Sequence, residues 1–346
     1  MTMKKFQAMK AVYSYYFPEV RRIVDEVHRE YQHELFLVKS RRPLDDYHEA
    51  VFKKLLWFYK KTAPDLAAFP WQYPTAGSAE GIREYLTWLQ TRGVKRIYTL
   101  RGDYEGYRET AATRGLKTME VDLDRTRPDE LSPGHWFLSN PSARDGNVIP
   151  NHTIKLIADA GHKIFYDLSY LGATPKQRFD LDHDNVAAAA LSLSKPYGLF
   201  RYRIGFLFCR EEVPALYANK WFKNIPSLFI AEKLFRSMRV DDLYKKYRLW
   251  QEEIVAGINK DYGLGLKASD SVLLAYLPKD QAVSLDPAQK RLIAPFLRGD
   301  NYRFCLTPYF EDKEGLMPKP PPRRPAPPRQ RPGRPQQRRP PSRRRF

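Results

Sequence analysis

Between residues 70 and 210, short apolar runs alternate with helical stretches, and this alternation limits the fold more than any other feature of the chain. The strand candidates are 96–100 (RIYTL), 118–121, 136–139, 164–168 and 188–193, with helices expected near 79–91, 104–114 and 151–160. Strands separated by helices return in the same direction, so the expectation is an α/β unit: a mostly parallel sheet covered by helices. On either side the pattern changes. Residues 4–62 read as mostly helical, with Val20, Ile23, Val24 and Val27 at helical spacing, and Pro64 and Pro70 close that region. Residues 211–316 turn helical again around two strand-like runs, 271–277 and 302–307, which reads as a smaller α+β domain completed by the N-terminal helices. The expected organisation is a helical segment at 1–65, a large domain at 66–225, a small domain at 226–316 and a separate tail at 317–346.

The net charge of +19 looks at first like a nucleic-acid signal, but it is unevenly distributed. Residues 317–346 hold one Lys, ten Arg and no acid, in a Pro-rich stretch without apolar periodicity that is expected to be extended and disordered. The remaining 316 residues carry 48 basic and 40 acidic groups, or +8, a mildly basic globular body and not a basic groove. Cys209 and Cys305 sit in apolar runs and read as small core residues, and no Cys/His spacing calls for a metal. The sequence shows neither a secretory leader nor an apolar run of about 18 residues, so a cytoplasmic protein is expected.

In open α/β sheets, chemistry collects where strands end. The run 188–209 places one lysine, Lys195, at the end of a strand candidate, with Ser192 and Ser194 before it, Arg203 after it and a second apolar run at 204–209. A lysine ringed by hydroxyls and a cation is what an aldehyde cofactor with a phosphate tail requires: the amine forms a Schiff base while the serines and arginine hold the phosphate. A solvated lysine in a turn between two core strands fits this stretch as well.

Other junctions extend the pattern. Before the first helix of the alternating region stands Thr75-Ala-Gly-Ser-Ala79. Gly77 allows a turn, and free N–H groups near Ser78 and Ala79 suit a phosphate, although such a turn also serves as an ordinary helix cap. Tyr104, after RIYTL, could stack on a flat ring or lie on the surface. Asn140 opens the loop after the strand at 136–139. Asp167 ends the run KIFYDL, where a buried carboxylate needs a cationic partner such as a pyridine nitrogen, and Tyr170 three residues on could donate to a ring oxygen.

The order Gly-Ser turn, aromatic, Asn-Pro, Asp-x-x-Tyr, Ser-x-x-Lys, then Arg eight residues on, resembles the fold type I pyridoxal-phosphate-dependent enzymes, in particular the class I/II aminotransferases, across about 75–310. The resemblance implies a mixed, seven-stranded-type sheet flanked by helices, a smaller α+β domain, pyridoxal 5'-phosphate as cofactor and a homodimer. It implies that Lys195 is the Schiff-base lysine and moves the proton at the substrate α-carbon, that Asp167 pairs with the pyridine nitrogen and Tyr170 with the ring oxygen, and that Tyr104 stacks on the ring. Gly77, Ser78, Ala79, Ser192, Ser194 and Arg203 would form the phosphate site, with Asn140 beside the ring. Arg303, in NYRFCLT, resembles the arginine that grips the substrate carboxylate, a task suited to a guanidinium fork; by itself it reads equally as an exposed arginine on an edge strand.

Three departures stand out. The family pattern NPxNPTG has a second Asn that bonds the ring oxygen, and Ala143 occupies that place. The chain before the Gly-Ser turn lacks the usual glycine-bearing substrate segment. The last helical portion of the small domain is also expected to be missing, FEDKEGLMPK giving way to the Pro/Arg tail. The function expected is an aminotransferase acting between an amino acid and a 2-oxo acid. Alternatives are another reaction of the same cofactor on an amino acid (decarboxylase, β-lyase, cyclase or oxidase), or a scaffold whose tail binds RNA or SH3-type partners.

Overall fold

The computed structural model describes residues 6–13, 15, 17–30, 47–221 and 224–315. The Pro/Arg tail and residues 31–46 of the expected N-terminal helical region lie outside these described residues.

Seven strands among the described residues form one sheet: β1 (Trp71–Thr75), β2 (Arg96–Leu100), β3 (Lys117–Val121), β4 (His135–Ser139), β5 (Lys163–Asp167), β6 (Val186–Ser192) and β7 (Gly205–Cys209), in the spatial order β1-β7-β6-β5-β4-β2-β3. Strands β2 to β6 pair in parallel, whereas β7 runs antiparallel to both β6 and β1. The sheet is therefore mixed. Twelve residues separate β6 from β7 with no helix between them, and so short a link returns the chain in the opposite direction.

Helices cover both faces, which is why the central strands read as continuous apolar runs. The alternation within each strand assigns the layers. Ile97, Phe137, Phe165, Ala188, Ala190 and Leu207 face one way, packed with Ile82, Tyr85, Leu86 and Leu89 of α3 (Ser78–Thr91). Tyr98, Trp136, Leu138, Tyr166, Ala189, Leu191, Phe206 and Phe208 face the other. Phe137 and Phe165 stack at 4.8 Å between centroids. On the opposite face α2 (Tyr47–Tyr59) sets Phe52 edge-on against Phe206 and Phe208, at 5.3 and 5.5 Å. Each fully buried side chain of this size contributes about 1.5–3 kcal/mol relative to an exposed one. Around this core run α1 (Pro18–Glu30), α4 (Glu105–Ala112), α5 (Asn151–Asp159) and α6 (Ile225–Ser237).

A second, antiparallel sheet holds β8 (Lys267–Ala268), β9 (Leu274–Pro278), β10 (Leu297–Arg298) and β11 (Asn301–Cys305) in the order β10-β11-β9-β8, beside α7 (Asp242–Tyr262), α8 (Pro287–Ile293) and α9 (Thr307–Lys313). Gln251 of α7 donates its side-chain amide to the carbonyls of Ser269, Ser271 and Leu274, tying helix to sheet. The N-terminal stretch runs beside β11 through a Met9–Cys305 bridge. The β10–β11 hairpin reaches back to the large sheet, where the Arg298 guanidinium donates to the Asp103 carbonyl at 3.2 Å. No helix among the described residues is long and apolar enough to cross a membrane.

Candidate active site

Because β1, β4, β5 and β6 run in one direction and β7 against them, the ends of the first four and the start of β7 meet along one edge of the sheet. Thr75, Ser139, Asp167 and Ser192 each close a strand there, and Gly205 opens β7 just after Arg203. A cavity of about 100 Å³ lies along this edge. It brings together Ser78, Ala79, Tyr104, Asp167, Tyr170, Ser192, Ser194, Lys195 and Arg203, residues spread over more than a hundred positions of the sequence.

Lys195 is half-buried and its Nζ donates to the Tyr170 hydroxyl at 3.1 Å, 4.3 Å from the centroid of that ring and 5.4 Å from that of Tyr104. Asp167 is 3% exposed and has no basic partner among the described residues. Its carboxylate instead accepts from the Tyr107 hydroxyl at 2.8 Å, from the Ser169 amide at 3.0 Å and from the Ser169 hydroxyl. Tyr104 presents a partly buried ring held edge-on by Tyr107 at 5.2 Å. Burial raises the Tyr104 phenol above its ordinary range, and the nearby Lys195 charge opposes that rise.

The opposite end of the cavity gathers hydrogen-bond donors and a cation. Gly77 caps α3 at φ 79°, and the first-turn amides of Ser78 and Ala79 have no helical partner. Ser192 Oγ accepts from the Ser194 amide at 3.2 Å, while Ser194 Oγ is buried without a partner. Arg203 is the one non-glycine residue with positive φ among the described residues, at 53°. Its guanidinium donates to the Ala76 carbonyl at 2.8 Å and lies so close to Gly77 that a Cβ there would meet Nη2 at 2.7 Å. A strained backbone and an unsatisfied buried hydroxyl thus stand at one end of the cavity.

Two expected residues stand elsewhere. Asn140 does not line the cavity. It is fully buried, its amide nitrogen donates to the Ile149 carbonyl at 2.9 Å and the Tyr166 hydroxyl at 2.6 Å, and its carbonyl accepts from the Ile149 amide at 2.9 Å. It therefore holds the 140–149 loop and has no donor left for a ring. Arg303 lies outside the cavity lining at 3% exposure on an interior strand of the small sheet, not on an edge. Its fork donates to the carbonyls of Ala143 at 2.5 Å and Lys10 at 2.9 Å, and its Nε is buried without a partner. Burial lowers the affinity of this guanidinium for its proton.

The cavity also contains Ala143, at the place of the second Asn of the family pattern, and two residues that the motifs did not single out, Ser139 and Ser169. Ser139 donates to Asp103, whose carboxyl also accepts from the Tyr104 amide at 2.7 Å and which burial pushes up to about 6. Ser169 lay inside the Asp-x-x-Tyr stretch. Its hydroxyl also bonds Ser78 Oγ at 2.8 Å, linking the strand-end carboxylate to the helix turn. A larger cavity of about 650 Å³ opens on the far side of the 142–150 loop, toward α5, and holds none of the residues expected to bind cofactor or substrate. Among the described residues no group of three or more His, Cys, Asp or Glu is placed to hold a metal ion.

No protein-family model matches the sequence, and no curated protein matches it. Solved structures do. An aminotransferase from Mycobacterium tuberculosis is 18% identical over 88% of this chain and 88% of that one, with a TM-score of 0.64. The pyridoxal-phosphate-bound C-S lyase from Staphylococcus hominis is 13% identical over 90% and 89%, at 0.66. An Escherichia coli protein with a methionine aminotransferase function is 16% identical over 83% and 86%, at 0.63. The chain has the fold of the fold type I pyridoxal-phosphate enzymes.

Proposed function

We propose that this chain binds pyridoxal 5'-phosphate along the sheet edge and transfers an amino group between an amino acid and a 2-oxo acid. One observation carries the reading: a single cavity unites a lysine amine, a buried carboxylate without a cationic partner among the described residues, and a set of anion donors that includes the orphaned Ser194 hydroxyl. The residues fit the group end to end. The α3 amides, Ser78, Ser192, Ser194 and Arg203 would hold the phosphate, Asp167 the pyridine nitrogen, and Tyr170 the ring oxygen, with Tyr104 against the ring face.

When bound, the cofactor supplies an electron sink for the pair left as a bond to the substrate α-carbon breaks. The chain's own residues do the rest. Asp167 keeps a positive charge on the ring nitrogen by offering it a negative partner in a dry site. Lys195 lies within reach of the Tyr170 hydroxyl, and its amine takes and returns the proton at the α-carbon. Arg303 has donors to spare beyond its two carbonyl partners and no carboxylate of its own, so it serves the carboxylate of the substrate.

A second reading has specific support. Ala143 brings no donor side chain to the cavity, Asn140 is fully engaged elsewhere, and Ser139 commits its proton to Asp103. The ring oxygen then has Tyr170 as its hydroxyl partner, a setting in which another reaction at the amino acid, such as β-elimination, becomes the alternative. A panel of amino acids with the cofactor-loaded protein separates the two. Amino-acid turnover that requires a 2-oxo acid, with the nitrogen recovered in the new amino acid, is expected; release of ammonia or carbon dioxide without an oxo acid would replace transfer by the second reading.

A further inference from the structure

We propose that Tyr107 is a positioning residue that fixes the orientation of the Asp167 carboxylate, and that Oδ2 of Asp167, the oxygen Tyr107 touches, is the one that takes the N–H of the ring; this rests on the cofactor reading above. The two carboxylate oxygens are not equivalent. Oδ1 accepts from both the amide and the hydroxyl of Ser169, while Oδ2 accepts from the Tyr107 hydroxyl at 2.8 Å. Each carboxylate oxygen offers about two lone-pair directions, so Oδ1 is full and Oδ2 has one place left.

Tyr107 is built to donate and nothing else. It is fully buried, and burial together with the neighbouring Asp167 charge holds its phenol well above the ordinary tyrosine range. It stands one turn beyond Tyr104 on α4, edge-on to that ring and tilted against Phe137 at 5.6 Å, so its hydroxyl has one direction to point. A carboxylate at 3% exposure with no basic partner among the described residues is held in place by its hydrogen bonds, and losing the one to Tyr107 frees Oδ2 to turn away from the ring nitrogen. A carboxylate turned away from the ring would hold a protonated ring nitrogen less well. Tyr107 thus acts on the cofactor's charge through Asp167 without touching the cavity.

The test loads wild-type protein and Tyr107→Phe with pyridoxal 5'-phosphate carrying ¹⁵N in the ring, and reads the nitrogen resonance and the dissociation constant. Wild type is expected to give the resonance of a protonated ring. Tyr107→Phe, which removes one oxygen and keeps the packing, is expected to move it toward the neutral-ring position and to weaken binding about tenfold or more, the size of a hydrogen bond to a charged group. If Tyr107→Phe does not fold, Tyr107→Leu removes the same hydroxyl in another shape and should give the same displacement. An unchanged resonance and affinity in a folded variant would overturn the role of Tyr107 while leaving the cofactor site intact. A wild-type protein that gives no bound resonance overturns the cofactor reading itself, and this inference with it.

Discussion

Arg303 carries a full positive charge into the interior, and its fork ends on two backbone carbonyls where a carboxylate would be expected. Carbonyl dipoles satisfy hydrogen bonds without cancelling charge, and an ion moved from water into protein costs several kcal/mol when it is not paired. Such a position makes sense when an anion arrives from outside. Replacing Arg303 by Lys keeps a charge but loses the planar fork, so KM for the amino acid is expected to rise about 10–100-fold, the loss of one charged hydrogen-bond pair. The cofactor's absorption should stay as in wild type; steady-state kinetics with unchanged KM would remove Arg303 from the substrate site. Asn140 shows how much a motif hides at this scale. Its place after a strand was legible, but its side chain turns to Tyr166 and Ile149, partners 26 and 9 residues away that no spacing rule connects to it. Tyr107 and Ser139 were invisible for the same reason: each matters through one hydrogen bond to a residue brought near by the sheet. That Lys195, Asp167 and Tyr170 would lie near one another was legible because a strand end is itself a location.

The turn between β1 and α3 is the element on which the anion end of the cavity depends. Gly77 adopts φ 79° and ψ 169°, a region open essentially to glycine, with the Arg203 guanidinium pressed against it. Gly77→Ala is therefore expected to destabilise the protein by about 1–3 kcal/mol, read in a thermal or urea melt, and to weaken cofactor binding by displacing Arg203. Gly93→Ala serves as the control: φ is 78° there too, but nothing stands within 4 Å of the new Cβ, so stability should fall without loss of cofactor. Equal cofactor binding by wild type and Gly77→Ala would show that the turn holds no phosphate.

The same scale explains which strands the sequence disclosed. The central strands are buried on both faces and read as apolar runs. β1, with Pro74 inside it, did not. It lies at the edge of the sheet and pairs with β7 alone, which is where a proline in a strand is tolerated. β8 and β10 are two residues each and leave no periodicity to find.

Taken as a whole molecule, the chain keeps the fold at 13–18% identity to the solved structures described above. That is what alternation and burial can specify, because many apolar residues satisfy the same layers. The reaction is a matter of a few side chains at one edge, and both an aminotransferase and a lyase occur on this fold, so fold alone does not choose between them. The central claim is the lysine–cofactor link, and absorption spectroscopy tests it directly. Purified protein incubated with pyridoxal 5'-phosphate and then desalted should retain a visible band, and Lys195→Ala treated in the same way should lose that band while keeping its fold. A wild-type protein that stays colourless, or a Lys195→Ala protein that keeps the band, would contradict the account.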